Sequence, residues 1–304
     1  MRLKDNVTID YCNKNNETVI TKGTIKYVID DENKYYYKIF NQKSYNKETL
    51  PNEQYEFLNS NNLICTDSEY KNIDKRFNRN MYFYECFSEN HQVDPESIHN
   101  TISDKQIVIV GVGGLGTVIL DSLQRMGFKN FTIIDYDTVE ESNLNRQILF
   151  NEKHLNKNKI DAISDETLEG CKIRKLNKKI MKVRDMEEEF IKEADFLINC
   201  ADSPSNIENI IHEFSKKFKI PSISGGVGIE TGKWGPIFDR NNVFKSENVS
   251  MQNIKIKGSN SSTNSIISNF IAFEVMLYFS ELYSEYPFYK EKNFNFKSLY
   301  LDVI

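Results

Sequence analysis

The sequence predicts an α/β protein in which a doubly wound parallel sheet follows a small α+β domain. Residues 107–110 form an apolar, β-branched run that leads into a glycine cluster. A helical pattern over residues 117–128 and a second apolar run over residues 130–135 come directly after it. This succession of strand, helix and strand is typical of the opening unit of a parallel sheet. Before it, residues 1–65 alternate apolar and polar side chains at the period of two that half-buried strands show.

The N-terminal region predicts a small sheet and a helix of its own. Turn-forming stretches rich in Asn and Asp separate three stretches of strand character, which are VTIDYC, TVITKGTIKYVID and KYYYKIFNQ. A helix is expected next, with Pro51 in its first turn. We therefore predict a compact α+β domain over residues 1–68 and a larger domain over residues 69–304.

The larger domain begins with a helical segment and a polar one. Residues 70–87 predict a helix that carries Arg76 and Arg79 ahead of an aromatic run. Residues 88–105 are polar and predict a loop with one helical turn. The parallel sheet is expected to begin only after this loop.

Further strands and one long helix complete the prediction. Strands are expected at residues 171–180, 194–202 and 220–226, and a helix at residues 264–283. Periodicity disappears from about residue 236 to residue 262, where polar residues dominate. A long stretch without periodic pattern inside a compact domain is usually functional, so we expect a crossover loop over residues 236–262.

Composition argues against several classes of protein. The 304 residues carry a net charge of −5, so a surface built for nucleic-acid phosphates is not expected. Asn269 and Glu274 interrupt the longest apolar stretch, and the N-terminus lacks the apolar segment of a secretory signal. The five cysteines form no C-x-x-C pair, which argues against a zinc site. We therefore expect a cytoplasmic protein with free thiols and no membrane-spanning segment.

The glycine cluster predicts a phosphate-binding turn. Gly111, Gly113 and Gly116 follow the spacing G-x-G-x-x-G, and Gly114 adds a fourth position at which backbone can approach phosphate oxygens. Asp135 ends the next strand, where a carboxylate can accept hydrogen bonds from a ribose hydroxyl. A nicotinamide-dependent oxidoreductase and an ATP-dependent enzyme fit these residues equally well. A tight turn without a ligand is the structural alternative.

The segment that follows the second strand favours ATP. It contains Asn143, Arg146 and Gln147, and Lys159 comes shortly afterwards. Forming an acyl adenylate builds negative charge on the α-phosphate and on the leaving pyrophosphate, which Arg, Lys and a metal-binding carboxylate stabilise. Asp202, at the end of a later strand, supplies such a carboxylate. Each residue taken singly is explained as a surface charge or a loop cap, so the prediction depends on their order and co-occurrence.

Six ordered motifs resemble the adenylating enzymes related to the ubiquitin-activating enzymes and to the ThiF-type sulfur-carrier adenylyltransferases. The motifs lie between Arg76 and Tyr278 and are RFNR, GVGGLG, DYDTVEESNLNRQ, NKNK, NCAD and SGG. The resemblance implies a Rossmann-like adenylation domain that uses ATP and Mg²⁺. It implies a nucleotide site composed of Gly111, Gly113, Gly114, Gly116, Asp135, Asp137, Asn143, Arg146, Gln147 and Lys159.

The same resemblance implies individual roles and a dimer. It implies that Asp135 binds the ribose and that Asp202 binds Mg²⁺. The implied triphosphate-binding residues are Asn143, Arg146 and Lys159. Arg79 matches an arginine that such homodimers insert into the ATP site of the partner subunit, which implies an obligate two-fold dimer. Arg76 lies three residues earlier, on the same expected helix face, and is the alternative to Arg79. The implied catalytic residues are Arg79, Arg146, Lys159 and Asp202.

The acceptor of AMP is expected to be a peptide. Residues 225–304 contain no cysteine that could carry a thioester, and Cys200 falls inside the expected nucleotide site, where a packing role is favoured. The chain resembles more specifically the peptide-adenylating enzymes of microcin C biosynthesis. These join AMP to the C-terminal carboxylate of a short ribosomal peptide that ends in asparagine, and the product is a phosphoramidate.

Two parts of the chain carry this expectation. The domain over residues 1–68 resembles a winged-helix-like peptide clamp, in which an extended peptide adds a strand to an open sheet edge. The helix after the crossover loop offers Asn264, Ser265 and Ser268 to the peptide terminus. Helix-start and packing roles for these three residues are the alternative.

Other functions stay open. A sulfur-carrier or tRNA-modifying adenylyltransferase agrees with the same motifs, and an NAD-dependent oxidoreductase agrees with the glycines and Asp135. A non-catalytic peptide receptor would keep the fold and bind peptide through residues 1–65 without releasing pyrophosphate. The expected partners are a peptide and a second copy of the chain, with no nucleic acid and no membrane.

Overall fold

The computed structural model describes residues 1–48, 50–66, 70–88, 93–163, 175–180, 191–240, 242 and 257–304. These residues fall into two compact units. The first comprises Met1–His99 with Leu282–Ser284, and the second comprises Asn100–Glu281 with Glu285–Ile304. The expected domain boundary at residue 68 lies outside the described residues and stays a prediction.

The first unit is an α+β assembly. Its elements are β1 (Arg2–Leu3), β2 (Val7–Cys12), β3 (Glu17–Lys22), β4 (Ile25–Asp30), α1 (Tyr35–Phe40), α2 (Asn52–Ser60), β5 (Ile64–Cys65) and α3 (Asn78–Phe87). Strands β2, β3 and β4 form an antiparallel sheet in that order, and β1 pairs with β5. Ile20, Phe40 and Leu58, from β3, α1 and α2, share one core and are almost fully buried. Burial of this shared apolar cluster stabilises the unit.

Helix α1 corrects a prediction, because the sequence predicts a strand for KYYYKIFNQ. The Asp31 carboxylate accepts the backbone N–H groups of Tyr35 and Tyr37 at 2.6 and 2.9 Å, and it also accepts the Thr18 hydroxyl at 2.6 Å. The first N–H groups of a helix have no partner within the helix, so a carboxylate at this point stabilises it. Thr18 holds that carboxylate from β3, a contact that local periodicity does not reveal.

Helix α4 (Pro95–Asp104) corrects a second prediction, since a loop with one helical turn was expected there. Proline is favoured in the first turn of a helix, where its missing N–H has no cost. His99 and Ile102 are 3% and 0% exposed, which shows that one face of α4 is buried. Polar residues on the other positions conceal this face in the sequence.

The second unit is organised around one large sheet. Its further elements are β6 (Gln106–Val110), α5 (Gly114–Met126), β7 (Asn130–Asp135), α6 (Lys159–Ala162), β8 (Lys175–Ile180), β9 (Phe196–Asn199), α7 (Ile207–Phe218), β10 (Ser222–Val227), β11 (Thr231–Trp234), α8 (Ser261–Ser280), β12 (Lys292–Asn295) and β13 (Tyr300–Val303). The strand order is β13-β12-β11-β10-β9-β6-β7-β8. The strands from β10 to β8 are parallel, which confirms the doubly wound sheet. The antiparallel extension through β11, β12 and β13 was not predicted.

The predicted crossover loop over residues 236–262 is described only in part. Residue 241 and residues 243–256 lie outside the described residues. At the N-terminal end of the predicted loop, Phe238 exchanges two backbone hydrogen bonds of 2.9 Å with Ser222. This part of the chain is therefore still paired with β10. At the far end, α8 begins at Ser261, inside the expected loop.

Helix α8 packs along α5. The Ser268 hydroxyl donates to the Leu115 carbonyl oxygen at 3.2 Å, and the Ser122 hydroxyl donates to Asn269 at 2.7 Å. Ile271 is fully buried on α8. Among the helices that the structure describes, none combines the length and the apolar character needed to span a bilayer.

A buried ion pair joins α8 to the antiparallel strands. The Lys292 ammonium group contacts the Glu274 carboxylate at 2.6 Å, and neither side chain is more than 2% exposed. The Trp234 indole and the Tyr286 hydroxyl donate to the same carboxylate at 2.8 and 3.3 Å. Burial raises the pKa of Glu274 and lowers the pKa of Lys292, and the bond between them opposes both shifts. Removing one residue of such a buried ion pair leaves the charge of the other without compensation.

We expect Glu274→Gln to destabilise the protein by about 3–5 kcal/mol, because Lys292 then stays buried without a counter-charge. The double variant Glu274→Gln/Lys292→Met should recover at least half of that loss. Urea unfolding followed by fluorescence measures both changes, since Trp234 is the single tryptophan and contacts Glu274. Equal stability of Glu274→Gln and wild type would contradict a stabilising pair.

Candidate nucleotide site

The carboxyl ends of β6, β7 and β9 meet at one edge of the sheet. Strand β6 pairs with β7 on one side and with β9 on the other. The chain therefore leaves β6 in one direction and returns later on its opposite side. Such a switch point opens a crevice at the carboxyl edge of a doubly wound sheet, where ligands bind. Most of the predicted site residues lie in the segments that leave these three strands.

The glycine turn after β6 is shaped by close backbone contacts. Gly111 has a φ of +87°, and a Cβ atom there would lie 2.9 Å from the Ala201 backbone nitrogen. A Cβ atom on Gly116 would overlap the Gly111 carbonyl oxygen. These two positions accept only glycine, since one needs a left-handed backbone and both lack room for a side chain. The turn therefore brings the start of α5 directly against the end of β6.

The N-terminus of α5 lies close to the carboxyl end of β6. Gly113 is its N-cap residue and has no side chain that could accept a hydrogen bond from the first helical turn. A Cβ atom on Gly114 would overlap the Asn264 amide and lie 3.4 Å from Arg146 Cδ. Unsatisfied N–H groups and the positive end of the helix dipole make such a terminus suited to phosphate.

Asp135 holds the glycine turn in place. Its carboxylate is 8% exposed and accepts the Val112 backbone N–H at 2.8 Å and the Asp137 backbone N–H at 2.8 Å. A carboxylate has about four acceptor positions, so ribose hydroxyls can still be accommodated. The predicted ribose contact remains a prediction, whereas the bond to Val112 was missed because only the tertiary structure pairs β6 with β7.

Lys159 lies against Asp137. Its ammonium group contacts the Asp137 carboxylate at 2.9 Å, and its backbone N–H donates to the Asp137 carbonyl oxygen at 2.9 Å. The Lys159 side chain is 7% exposed and that of Asp137 is 50% exposed. Lys159 is therefore oriented by a carboxylate that itself faces solvent.

The loop between β7 and α6 positions the remaining polar residues. The Asn143 side chain accepts the Glu140 backbone N–H at 3.2 Å within a short 3₁₀ turn. The Arg146 guanidinium donates to the Ser142 carbonyl oxygen at 2.8 Å. Gln147 is 3% exposed, and its Oε1 atom has no hydrogen-bond partner among the described residues. A buried amide with one unsatisfied atom next to a glycine turn is a feature that a ligand can complete.

Asp202 follows β9 and is exposed. The turn before it is fixed, because the Ala201 backbone N–H donates to the Asn199 side chain at 3.2 Å. No group of three or more His, Cys, Asp or Glu side chains that could hold a metal occurs within the described ranges. One carboxylate is nevertheless the donor set that Mg²⁺ uses when nucleotide phosphates and water supply the other ligands. Asp202 therefore fits a nucleotide-bound Mg²⁺ and does not fit a resident metal held by protein alone.

Cys200 precedes Asp202 but has the character of a packing residue. Burial raises the pKa of its thiol well above the usual range. A thiol is reactive only as the thiolate, which this environment disfavours. The chemistry of the site therefore falls to its charged and amide side chains.

The three residues proposed for the peptide terminus differ in environment. The Asn264 amide faces Gly114 and donates to the Ser259 hydroxyl at 2.9 Å and to the Asn260 carbonyl oxygen at 2.7 Å. Ser268 is fully buried with its hydroxyl on α5, and Ser265 is partly exposed. Asn264 lies against Gly114, Ser268 bonds to Leu115 between the last two glycines of the turn, and the peptide contacts stay predictions.

The two candidate arginines lie in the other compact unit and differ from each other. Arg76 binds the Asp74 carboxylate through two nitrogen atoms, at 3.0 and 2.5 Å. Arg79 is exposed on α3, and no hydrogen-bonding or ionic partner for its guanidinium is recorded among the described residues. Of the two, Arg79 has the guanidinium that is available to another molecule.

Sequence reasoning missed Asn145, which binds both Arg146 and the segment before α8. Its amide oxygen accepts from Arg146 at 2.9 Å, and its amide nitrogen donates to the Ser259 carbonyl oxygen at 2.9 Å. Its position in the sequence could have indicated a role, because Asn145 lies in NLNRQ between Asn143 and Arg146, which were both predicted to bind the nucleotide. Its partner Ser259 is distant in sequence, however, and no local pattern links the two.

Known proteins resemble this chain in sequence. The NEDD8-activating enzyme E1 catalytic subunit of Dictyostelium discoideum is 31% identical over 120 residues, 38% of this chain and 26% of that protein. The SUMO-activating enzyme subunit 2 of the same organism is 30% identical over 150 residues, 47% of this chain and 22% of that protein. The chain thus spans about a quarter of the length of the curated relatives it matches.

Solved structures resemble it over its whole length. A crystal structure of E. coli MccB with AMPCPP and MccA has a TM-score of 0.81 at 20% identity and covers 100% of this chain and 96% of that one. A crystal structure of E. coli MccB with ATP has a TM-score of 0.81 at 18% identity and the same coverage of both chains. A crystal structure of PaaA has a TM-score of 0.77 at 20% identity, and the match covers 99% of this chain and 98% of that one. At these identities the likeness establishes the fold.

A family model decides the classification. The model of the ThiF family matches residues 78–302, which include the glycine turn, the loop that carries Arg146 and the turn that carries Asp202. The match covers well over half of the chain. Together with the fold and the site geometry, it shows that the chain belongs to the ThiF family.

Proposed function

We propose that the chain is an adenylyltransferase that transfers AMP from ATP to a carboxylate and releases pyrophosphate. The observation that carries the proposal is the convergence at one switch point of the α5 N-terminus, the loop with Arg146, Lys159 at the start of α6, and the Asp202 turn. An oxidoreductase needs the first of these features but has no use for the other three. Family membership supports the same activity.

The proposed acceptor is the C-terminal carboxylate of a short ribosomal peptide. The likeness to MccB structures that contain MccA supports this acceptor, because it extends over the whole chain and includes the N-terminal unit. The product of this step would be a peptidyl-AMP joined through a carboxylate oxygen, and a phosphoramidate would require a further step in which a peptide nitrogen forms a bond to phosphorus and an oxygen–phosphorus bond breaks. Adenylation of a ubiquitin-like or sulfur-carrier protein is the second candidate, which the likeness to activating-enzyme subunits favours.

The first chemical step needs no general base. A peptide carboxylate is ionised at neutral pH and can attack the α-phosphate directly. The new bond joins a carboxylate oxygen to the α-phosphorus, and the bond to the bridging oxygen of pyrophosphate breaks. Rate enhancement then depends on alignment and on offsetting the charge of the leaving group.

Each charged side chain has a proposed task in this step. Arg146 and Lys159 offset charge on the phosphates, and the N-terminus of α5 binds them through backbone N–H groups. Lys159 exchanges part of its contact with Asp137 for phosphate. Asp202 would hold Mg²⁺, which polarises phosphate oxygens when bound. Arg79 is proposed to enter the site of a second copy in a two-fold dimer.

The open edge of β4 is the proposed place for the peptide. Among the described strands, β4 pairs with β3 alone, so one row of its backbone groups is available. Ile25 and Val28 on β4 are 53% and 57% exposed. An extended peptide can pair with such an edge and bury apolar side chains at the same time.

We expect Asp202→Asn to lower peptide-dependent pyrophosphate exchange by about 100-fold or more, because the carboxylate that holds Mg²⁺ is lost. Exchange of labelled pyrophosphate into ATP is the measurement. Asp302→Asn, which makes the same charge change at an exposed position of β13, should leave the rate unchanged. Full activity of Asp202→Asn would remove this residue from the metal role.

We expect isolated mixed dimers of Arg79→Ala and Asp202→Asn to have about half of the wild-type activity, because one of the two sites is then complete. Each parent homodimer should be nearly inactive. Two affinity tags separate the mixed dimer, and pyrophosphate exchange measures it. Arg76→Ala, as the matched control, should keep most activity because Arg76 is bound to Asp74. Inactive mixed dimers would argue against an arginine that acts in trans.

We expect Val28→Asp to weaken the binding of fluorescein-labelled short peptides ending in asparagine by about tenfold, since it places a charge beside the edge of β4. N-methylation of the peptide should reduce binding only at alternate positions, because alternate N–H groups of a strand face its neighbour. Fluorescence polarisation measures both. Ile304→Asp, at a position that is 66% exposed in the other unit, is the control. Loss at every N-methylated position would contradict strand addition.

A further inference from the structure

A polar network joins the loop after β7 to the segment that enters α8. The Asn145 amide nitrogen donates to the Ser259 carbonyl oxygen at 2.9 Å, and its amide oxygen accepts from the Arg146 guanidinium at 2.9 Å. The Asn264 amide nitrogen donates to the Ser259 hydroxyl at 2.9 Å. The side chains of Arg146 and Asn264 both lie over Gly114. The network therefore links the two side chains that lie beside the first residue of α5.

Asparagine suits both contacts of position 145. A guanidinium only donates hydrogen bonds and a backbone carbonyl only accepts them. The two partners therefore determine which way the Asn145 amide points. Aspartate would keep an acceptor for Arg146 but would place negative charge against the Ser259 carbonyl oxygen. Alanine would lose both contacts.

Asn145 contacts the chain where it returns from the crossover. Residues 257–260 belong to the last part of the predicted crossover loop and lead directly into α8. Asn260 caps the helix, because its side chain accepts the Thr263 backbone N–H at 3.1 Å. A molecule that orders or displaces residues 257–260 therefore acts on the bond to Asn145. Through Asn145 it acts on the Arg146 guanidinium.

We propose that Asn145 is a positioning residue that couples acceptor binding to the phosphate site. The proposal rests on the proposed function, since it assumes that the acceptor carboxylate enters beside Asn264 and residues 257–260. When the acceptor contacts this segment, it strengthens the existing bond between Ser259 and Asn145, and Asn145 then holds Arg146 more firmly in the orientation that meets the α-phosphate. ATP then binds tighter when the acceptor is present, and the acceptor binds tighter when ATP is present, by the same factor. Asn145 itself touches neither molecule.

Two variants at position 145 separate coupling from catalysis. Asn145→Asp keeps an acceptor for Arg146 but adds a negative charge beside the phosphate site, so ATP binding without acceptor should weaken, and the readout for this variant is the coupling factor, which is a ratio of two ATP affinities. The fold-change by which a saturating peptide ending in asparagine tightens ATP binding should fall to nearly one. Asn145→Ala should also weaken ATP binding without acceptor by about tenfold, the effect of a lost hydrogen bond to a charged group. Asn209→Asp, exposed on α7, makes the same charge change and serves as the control.

Hydrogen exchange tests the same link without any ligand. The backbone N–H groups of Thr263 and Asn264 should exchange faster in Asn145→Asp and Asn145→Ala than in wild type and Asn209→Asp, because the start of α8 loses its anchor. Unchanged exchange at these two groups overturns the proposal. A wild-type coupling factor retained in Asn145→Asp also overturns it. If wild type catalyses no pyrophosphate exchange with any carboxylate, the proposed function fails, and the exchange of Thr263 and Asn264 still decides whether Asn145 anchors the segment.

Discussion

The contact between Gly116 and the Gly111 carbonyl oxygen is the constraint on which the site depends. It permits α5 to begin immediately beside the end of β6, closer than any side chain would allow. The helix N-terminus consequently opens at the carboxyl edge of the sheet, where backbone N–H groups have no partner within the helix. Asp135 holds the intervening residue Val112 from the neighbouring strand. The geometry to which the proposed function assigns phosphate is therefore set by backbone packing.

The cations of the site are oriented before a ligand arrives. Lys159 is held by Asp137, and Arg146 is held by Ser142 and Asn145. Groups that are already oriented need little reorganisation when charge develops on a substrate, which is the main source of electrostatic catalysis. Under the proposed function, the exposed carboxylate of Asp137 would compete with phosphate for Lys159.

Helix α8 serves the core and the site with different parts of its length. Its middle buries apolar residues against α5, and Glu274 joins it to the antiparallel strands through Lys292. Its first turn presents Asn264 to the glycine turn. Because the buried part fixes the helix, the position of Asn264 relative to α5 follows from packing remote from the crevice. This division explains why a largely apolar helix contains the polar residues that the sequence analysis singled out.

The sequence by itself determined the βαβ unit, the glycine turn and the order of the charged residues, because each of these is written in local spacing. It wrongly predicted a strand where α1 forms. The helix is stabilised by the Asp31 carboxylate, which Thr18 holds from another strand, and local pattern does not reveal that contact. Tertiary structure alone decided that Asp135 reaches Val112 and that Asn145 reaches Ser259. Such pairs are far apart along the chain and meet only after strands and helices have packed, so no periodicity in the sequence records them.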